Sequence, residues 1–459
     1  MTMTHAPPPR GRGAGHGTSG AARAAAALVF LVLAACAGPD EPAPGPGGEE
    51  PAPPPAAEDP PDAGGDAGHE PRPGAGDDRP PAGEDPGTDD PSDAPAMSEP
   101  IRGAWVHLFD DALKSAAGVA EVAETLADAG ASAVFAQVTR RHDAYYDSEV
   151  LPATPDPAVE PGFDVLAELT SAAAERDLEV HAWISVAPTE HHAYDDLPAP
   201  DGWVASDHGR DAPEADRWVS RTADGAWSDY LDPALPEVRA HTAAIAAEIA
   251  ERYDVDGVHL DYVRYAGPDH GYHPDALARY REETGAAGTP DPDDEDWQAW
   301  RQEQTTQLVA EAAEAVADAD PGVAVSAAVI AWGAGPGSSE APTFADTRTA
   351  SEALQPWPDW VADGLVDAVA PMLYFRDHEP GQAAWFDQWT GYVEETAHAH
   401  DTLVAPGVAG YLNTTNAAEA QVRAAMSAGN GALVYSYQQP TDDGGDLFGR
   451  LGEEGWGGD

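Results

Sequence analysis

An acidic side chain inside an apolar β-strand is costly unless it has partners and a use. Asp261 is such a residue, set in Asp256-Gly257-Val258-His259-Leu260-Asp261-Tyr262-Val263-Arg264-Tyr265. Alternation along a strand predicts His259, Asp261 and Val263 on one face and Val258, Leu260 and Tyr262 on the other. Arg264 follows at the strand exit, which leaves open a purely structural Asp261–Arg264 pair. In Glu179-Val180-His181-Ala182-Trp183-Ile184-Ser185, the same alternation groups His181, Trp183 and Ser185. Gln137-Val138 leads into Thr139-Arg140-Arg141-His142-Asp143-Ala144-Tyr145-Tyr146, where Asp143 and Glu149 are the nearest carboxylates. Two further strands end in Pro371-Met372-Leu373-Tyr374 and Tyr435-Ser436-Tyr437-Gln438. Cleavage of a glycosidic bond uses two carboxyl groups flanking the bond, within a wall of aromatic and hydrogen-bonding groups. The pattern predicts Asp261 and Asp143 as that pair. Trp105, Gln137, Tyr145, His181, Trp183, His259, Arg264, Tyr265, Tyr374 and Tyr437 are the predicted substrate-binding residues.

The elements that must position these groups alternate in type. Strands are predicted over 101–108, 133–138, 178–186, 257–263, 323–329, 366–373, 403–409 and 432–437. Amphipathic helices are predicted over 115–129, 163–176, 236–253, 297–319, 382–400 and 417–428. Strand–helix alternation implies a parallel sheet with helical crossovers. Eight such units in about 360 residues predict a closed (β/α)8 TIM barrel; an open doubly wound sheet is the alternative. No Gly-x-Gly-x-x-Gly turn follows the first strand, which argues against a dinucleotide fold. Long connections at 139–162, 187–234, 264–296 and 330–350 all leave the C-terminal ends of strands, where barrel enzymes carry their active sites. They hold Tyr145, Tyr146, His191, His192, Trp203, Trp218, Trp227, His270, Tyr272 and Trp332. Aromatic rings there serve either to stack on sugar faces or to pack the loops together.

Six segments in order resemble the glycoside hydrolase-like family 10. They are Arg102-Gly103-Ala104-Trp105-Val106; Gln137-Val138 with Asp143-Ala144-Tyr145-Tyr146; Val180-His181-Ala182-Trp183; Leu231-Asp232-Pro233 with Pro236-Glu237-Val238-Arg239; residues 254–262; and Ala370-Pro371-Met372-Leu373-Tyr374. The resemblance covers most of residues 101–440. It implies a (β/α)8 barrel acting on glycans and, by similarity to bacterial envelope members, cleavage of peptidoglycan strands stripped of their peptides. The chain departs from the family pattern where Tyr262 replaces a second acid and where Met372 replaces a glutamine. Its fourth strand is also similar to that of family 18 chitinases, but Val263 stands where their catalytic glutamate would be. Two function classes follow: a hydrolase with two carboxyls in one cleft, or a catalytically impaired barrel that binds envelope polysaccharide.

The rest of the chain bears on location. Arg10, Arg12 and Arg23 flank an apolar run that ends in Leu33-Ala34-Ala35-Cys36, so residues 1–36 read as a lipoprotein signal with Cys36 the lipidated residue. Residues 37–98 are dominated by Pro, Gly, Ala, Asp and Glu and read as a disordered acidic tether. The predicted barrel occupies 99–459, on the outer side of a membrane. The chain has 82 acidic and 23 basic residues and a formal net charge of −59, with Lys114 its only lysine. Such a field disfavours nucleic acid and anionic lipid surfaces as partners. One cysteine permits no disulfide framework. No zinc-binding or nucleophile-elbow motif is present, so neither metal nor cofactor is expected. The oligomeric state is not encoded in any of these patterns.

Overall fold

Each of the eight predicted strands forms, and together they close. The computed structural model describes Met97 and residues 100–190 and 197–457. The expected signal with Cys36, the tether apart from Met97, and His191 and His192 lie outside the described residues. The barrel strands are β1 (Ile101–Val106), β2 (Ala133–Thr139), β3 (Glu179–Ser185), β4 (Gly257–Asp261), β5 (Ala324–Ile330) and β6 (Ala368–Leu373). They continue with β7, in two pieces (Leu403–Val404 and Gly407–Ala409), and β8 (Gly431–Tyr435). Every neighbouring pair is parallel, and β8 pairs with β1 to complete the ring. A helix follows each strand, from Ala116–Asp128 after β1 to Leu447–Glu454 after β8. This is a (β/α)8 barrel.

The N-terminal rim carries a four-fold device. The residue immediately before each even-numbered strand accepts a hydrogen bond from a backbone N–H of the strand before it. Ser132 Oγ accepts from Arg102, Asp256 Oδ2 from Val180, Asp367 Oδ2 from Val325 and Asn430 Oδ1 from Val404, at 2.7–3.0 Å. Each satisfies a donor at an odd strand's start and ties the strands in pairs. Asp256 therefore serves register, in the turn into β4.

Two apolar layers hold the ring. Outward residues such as Val134, Val180, Val258, Val325 and Val434 pack against the helices. Inward positions alternate large with small: Trp105, Phe135 and Trp183 project into space left by Ala133, Ala324, Ala328, Ala368 and Ala370. Two glycines create room that no Cβ could share. At Gly257 a Cβ would collide with His181 Nδ1, and at Gly407 it would stand 2.6 Å from the Trp105 ring.

The long loops are packed. An antiparallel hairpin (Val219–Arg221 with Trp227–Leu231) lies in the connection after β3. After β4, Tyr272, Tyr280, Trp297 and Trp300 form a satellite core. Beneath it, fully buried Arg301 donates to the carbonyls of Pro268, His270 and Pro292 at 2.6, 2.6 and 3.0 Å. Among the described residues no helix is long and apolar enough to cross a membrane.

Candidate active site

β4 ends at Asp261, and the chain turns at once. Tyr262 adopts a left-handed backbone (φ 58°), uncommon for a bulky side chain. Arg264 N–H then donates to the Tyr262 carbonyl at 2.9 Å, closing a tight turn. This turn breaks the strand alternation. Tyr262, expected on the outer face, enters the cleft lining, while Val263, expected beside Asp261, is buried in the outer core.

Both carboxylate oxygens of Asp261 are held. Oδ1 accepts the Tyr262 N–H at 2.7 Å, and Oδ2 accepts the Trp183 indole N–H at 3.1 Å. Burial raises the Asp261 pKa above the ordinary carboxylate range, against the opposing pull of Arg264, the Tyr262 N–H, Arg140 and Trp183. The structural Asp261–Arg264 pair that the sequence left open is not made: no nitrogen of Arg264 comes within 4.0 Å of a carboxylate oxygen among the described residues. Arg264 instead lies over the Tyr262 ring (4.7 Å) and faces Trp332 (5.4 Å).

Around Asp261 the cleft is lined by Trp105, Phe109, Arg140, Trp183, Tyr262, Arg264, Ala328, Met372, Tyr374, Tyr411 and Tyr435. These side chains come from the C-terminal ends of the strands and the loops that follow. Tyr374, Tyr411 and Tyr435 form one wall, with ring centroids 5.4–6.5 Å apart. Trp105 meets Tyr374 edge-on at 6.4 Å. The result is an acid with elevated proton affinity facing aromatic rings, chemistry able to give a proton to an oxygen and to stack on an apolar ring face.

Of the predicted substrate-binding residues, Trp105, Trp183, Arg264 and Tyr374 join Asp261 in this lining. Six do not. His259 lies beneath Trp105: its Nε2 accepts the Trp105 indole N–H at 3.0 Å. In the neutral ring Nδ1 is then the protonated nitrogen, donating to Ser326 Oγ at 2.8 Å. Burial drives the His259 pKa well down, as this neutral tautomer requires. His181 is stacked on Phe135 at 4.5 Å inside the barrel. Gln137 is buried between β1 and β3, accepting the Leu108 N–H and donating to Ser185 Oγ. Tyr145 donates to Asp156, and Tyr265 to Asp232, each securing a loop. Tyr437 packs on Phe448, with its hydroxyl toward Thr125, against the helical layer.

Asp143, the expected second carboxyl, is also outside the lining. Its oxygens accept the Arg141 N–H (3.2 Å) and the Thr154 hydroxyl (2.8 Å), and its Oδ2 lies 3.4 Å from the Arg141 guanidinium. The carboxylate closes the loop after β2. Asp143→Asn is expected to lower stability by about 1–3 kcal/mol through the weakened buried pairing, while kcat stays within about threefold of wild type. Thermal melts and steady-state rates on the purified variant check both.

Sequence reading missed Phe109, Arg140, Tyr411 and the place of Tyr262. Arg140 follows a register shift between Gln137 and Thr139, a bulge that re-aims the residues beyond it. Next to Phe109, Asp110 is a further carboxyl, and it is exposed. Nearby His107 is held neutral, its pKa lowered to about 3 by burial and by Arg140. Among the described residues no three His, Cys, Asp or Glu side chains are grouped to hold a metal ion.

Comparison with known proteins agrees with this architecture. The family model for glycosyl hydrolase-like 10 matches residues 100–418. Glycosyl hydrolase DigH of Escherichia coli K12 is 30% identical over 261 residues, covering 54% of this chain and 55% of that protein. Glycosyl hydrolase YngK of Bacillus subtilis is 27% identical over 256 residues, covering 54% of this chain and 46% of that protein. The chain thus spans about half the length of the curated relatives it matches. Among solved structures, the PgaB (BpsB) glycoside hydrolase domain of Bordetella bronchiseptica superimposes with a TM-score of 0.54 at 16% identity, over 78% of this chain and 99% of that one. The β-amylase catalytic domain of Paenibacillus polymyxa gives 0.56 at 12%, over 78% and 98%. These two likenesses bear on the fold.

Proposed function

Because this chain belongs to the glycosyl hydrolase-like 10 family, we propose that it hydrolyses a glycan built of N-acetylated sugars, specifically peptidoglycan strands freed of their peptides, with Asp261 as the proton donor. The observation that carries the reading is Asp261 itself. Among the described residues it is the one carboxyl in the lining, fixed by Trp183 and Tyr262, more basic than an ordinary carboxyl, and set against the aromatic wall.

A single lining carboxyl among the described residues favours a substrate-assisted route. The sugar's own acetamido oxygen attacks the anomeric carbon as Asp261 transfers its proton to the departing glycosidic oxygen. Asp261, now a carboxylate, takes a proton from the water that opens the cyclic intermediate and so recovers its starting state. This route retains anomeric configuration and needs no carboxylate nucleophile. Incubating the protein with peptide-free peptidoglycan strands and analysing the products by mass spectrometry tests the reading. Shortened saccharides are expected, and intact strands after prolonged incubation would count against it.

The displacement of Asp143 from the cleft favours a second reading, a barrel that binds envelope glycan without cutting it. Binding of the strands with no product, in the same experiment, would select that reading.

We further propose that the domain acts outside the cytoplasm on a lipid anchor at Cys36, on the strength of the Leu33-Ala34-Ala35-Cys36 motif. Cys36→Ala should move the protein from the membrane fraction to the soluble fraction of fractionated cells. Unchanged membrane association would refute the anchor.

A further inference from the structure

Two cations flank Asp261, and among the described residues no carboxylate comes within ion-pair distance of either. Arg140, after β2, and Arg264, after β4, are only 5% and 3% exposed, and both line the cleft. Among the described residues neither guanidinium makes a hydrogen bond or an ion pair, and each Nε is buried without a partner. Each is supported by aromatic faces alone: Arg140 lies 4.1 Å over Phe109, and Arg264 lies 4.7 Å over Tyr262 and 5.4 Å from Trp332. Cation–π contact offsets about 0.5–2 kcal/mol per site. Leaving a guanidinium buried and unpaired costs more than that.

A role limited to balancing Asp261 does not account for the pair. Two positive charges exceed one carboxylate, and neither approaches it to salt-bridge distance. The chain is otherwise strongly acidic, at −59, so a cleft lined by two arginines and one acid reverses the sign of its surroundings. Planar guanidinium groups match carboxylate geometry with two parallel N–H donors.

Building on the glycan-hydrolase reading, we infer that Arg140 and Arg264 form a carboxylate-binding subsite beside Asp261, so that the cleft selects a glycan bearing an acid group on the sugar it holds. The acid can be a lactyl ether, as on the muramic sugar of peptidoglycan, or a uronic acid. The two sources share this chemistry. The acidic exterior does not prevent such binding, because at physiological salt charges beyond about 8 Å are largely screened. Inside the cleft, contact with the arginines is short-range and little screened.

Binding, read separately from turnover, tests the inference. Titrations by calorimetry at 0.15 M salt would use four oligomers of matched length: a neutral N-acetylglucosamine oligomer, a peptide-free peptidoglycan oligomer, the same oligomer with its carboxyls reduced to alcohols, and a hyaluronan oligomer carrying uronates. The wild-type protein is expected to bind at least one acidic oligomer tenfold or more tighter than the neutral one. A preference for the unreduced peptidoglycan oligomer over its reduced form assigns the lactyl acid, and a preference for hyaluronan assigns the uronate. Arg140→Gln and Arg264→Gln should each erase most of that preference by weakening acidic-oligomer binding tenfold or more beyond any loss of neutral-oligomer binding. Equal affinity for acidic and neutral oligomers, or binding of none, would overturn the inference, and the wild-type comparison decides this even if a variant fails to fold. Equal weakening of acidic and neutral binding in folded variants would likewise overturn it. Acid-selective, arginine-dependent binding without cleavage would uphold the subsite and sink the hydrolase reading. Cleavage of neutral and acidic oligomers alike, with equal affinity, would do the reverse.

Discussion

Asp261→Asn is expected to reduce turnover of peptide-free glycan by about 10²–10⁴-fold, the usual contribution of a positioned proton donor. The amide can still accept from the Trp183 indole or the Tyr262 N–H, so the cleft should keep its shape. The variant should also be at least as stable as wild type at pH 7. The sign follows from the raised pKa of Asp261 in the folded protein, where burial penalises the ionised form. Below the ordinary carboxylate pKa both folded and unfolded chains hold the proton, and the residue costs nothing. As pH rises through the elevated folded value the unfolded chain has already released its proton, and the cost grows to about 1.4 kcal/mol for each tenfold gain in proton affinity on folding. The melting advantage of Asp261→Asn should therefore be present at neutral pH and vanish in acid. The same elevation sets the rate profile. Activity that needs the protonated acid persists above the ordinary carboxylate range and declines as pH rises through the elevated value. Wild-type turnover by the Asn variant would remove Asp261 from the chemistry. A collapsed melting transition would make it a structural residue.

Gly257→Ala should be among the most damaging single-methyl additions in the barrel. The new Cβ would meet His181 Nδ1, with the His181 ring carbon at 2.7 Å and the Ala324 carbonyl oxygen at 3.1 Å. His181 has little room to retreat, because it is stacked on Phe135, which in turn meets His259 edge-on at 4.9 Å. Overpacking of this kind costs about 1–3 kcal/mol. It acts on the strand that carries Asp261, so melting temperature and activity should fall together. Gly381→Ala, in the helix Pro380–Ala399 where no atom beyond the neighbouring residues and the helix's own backbone lies within 4 Å of the new methyl, is the control and should lower neither. Equal melting temperatures for wild type and Gly257→Ala would show that the interior yields more easily than its packing indicates.

The barrel was legible in the sequence because burial on both faces writes each parallel strand as a short apolar run. All eight runs became strands, with ends moved by a few residues. The hairpin at Val219–Leu231 was missed, since its short arms lack a clear alternation. Asp261 was legible for a different reason: an acid inside an apolar strand is anomalous unless it is used. What could not be read was local geometry that breaks alternation. The left-handed turn at Tyr262 moves that ring into the cleft, and the bulge after Gln137 turns Arg140 toward Asp261's side of the barrel. Nor does residue type separate a site aromatic from a packing one. Tyr145 and Tyr265 carry the same sequence signal as Tyr374, yet their hydroxyls are engaged by Asp156 and Asp232. Asp143 lies outside the cleft lining because Arg141 and Thr154, two and eleven residues away, capture its carboxylate locally.

The central claim, that Asp261 donates a proton to a glycosidic oxygen, is tested most directly by a crystal structure of Asp261→Asn with a peptide-free peptidoglycan oligomer bound. The predicted complex has sugar rings along Tyr374, Tyr411 and Tyr435, and a bridging oxygen within hydrogen-bond distance, about 2.6–3.2 Å, of residue 261. An oligomer bound on another surface, or one crossing the cleft with no glycosidic oxygen near residue 261, would contradict it.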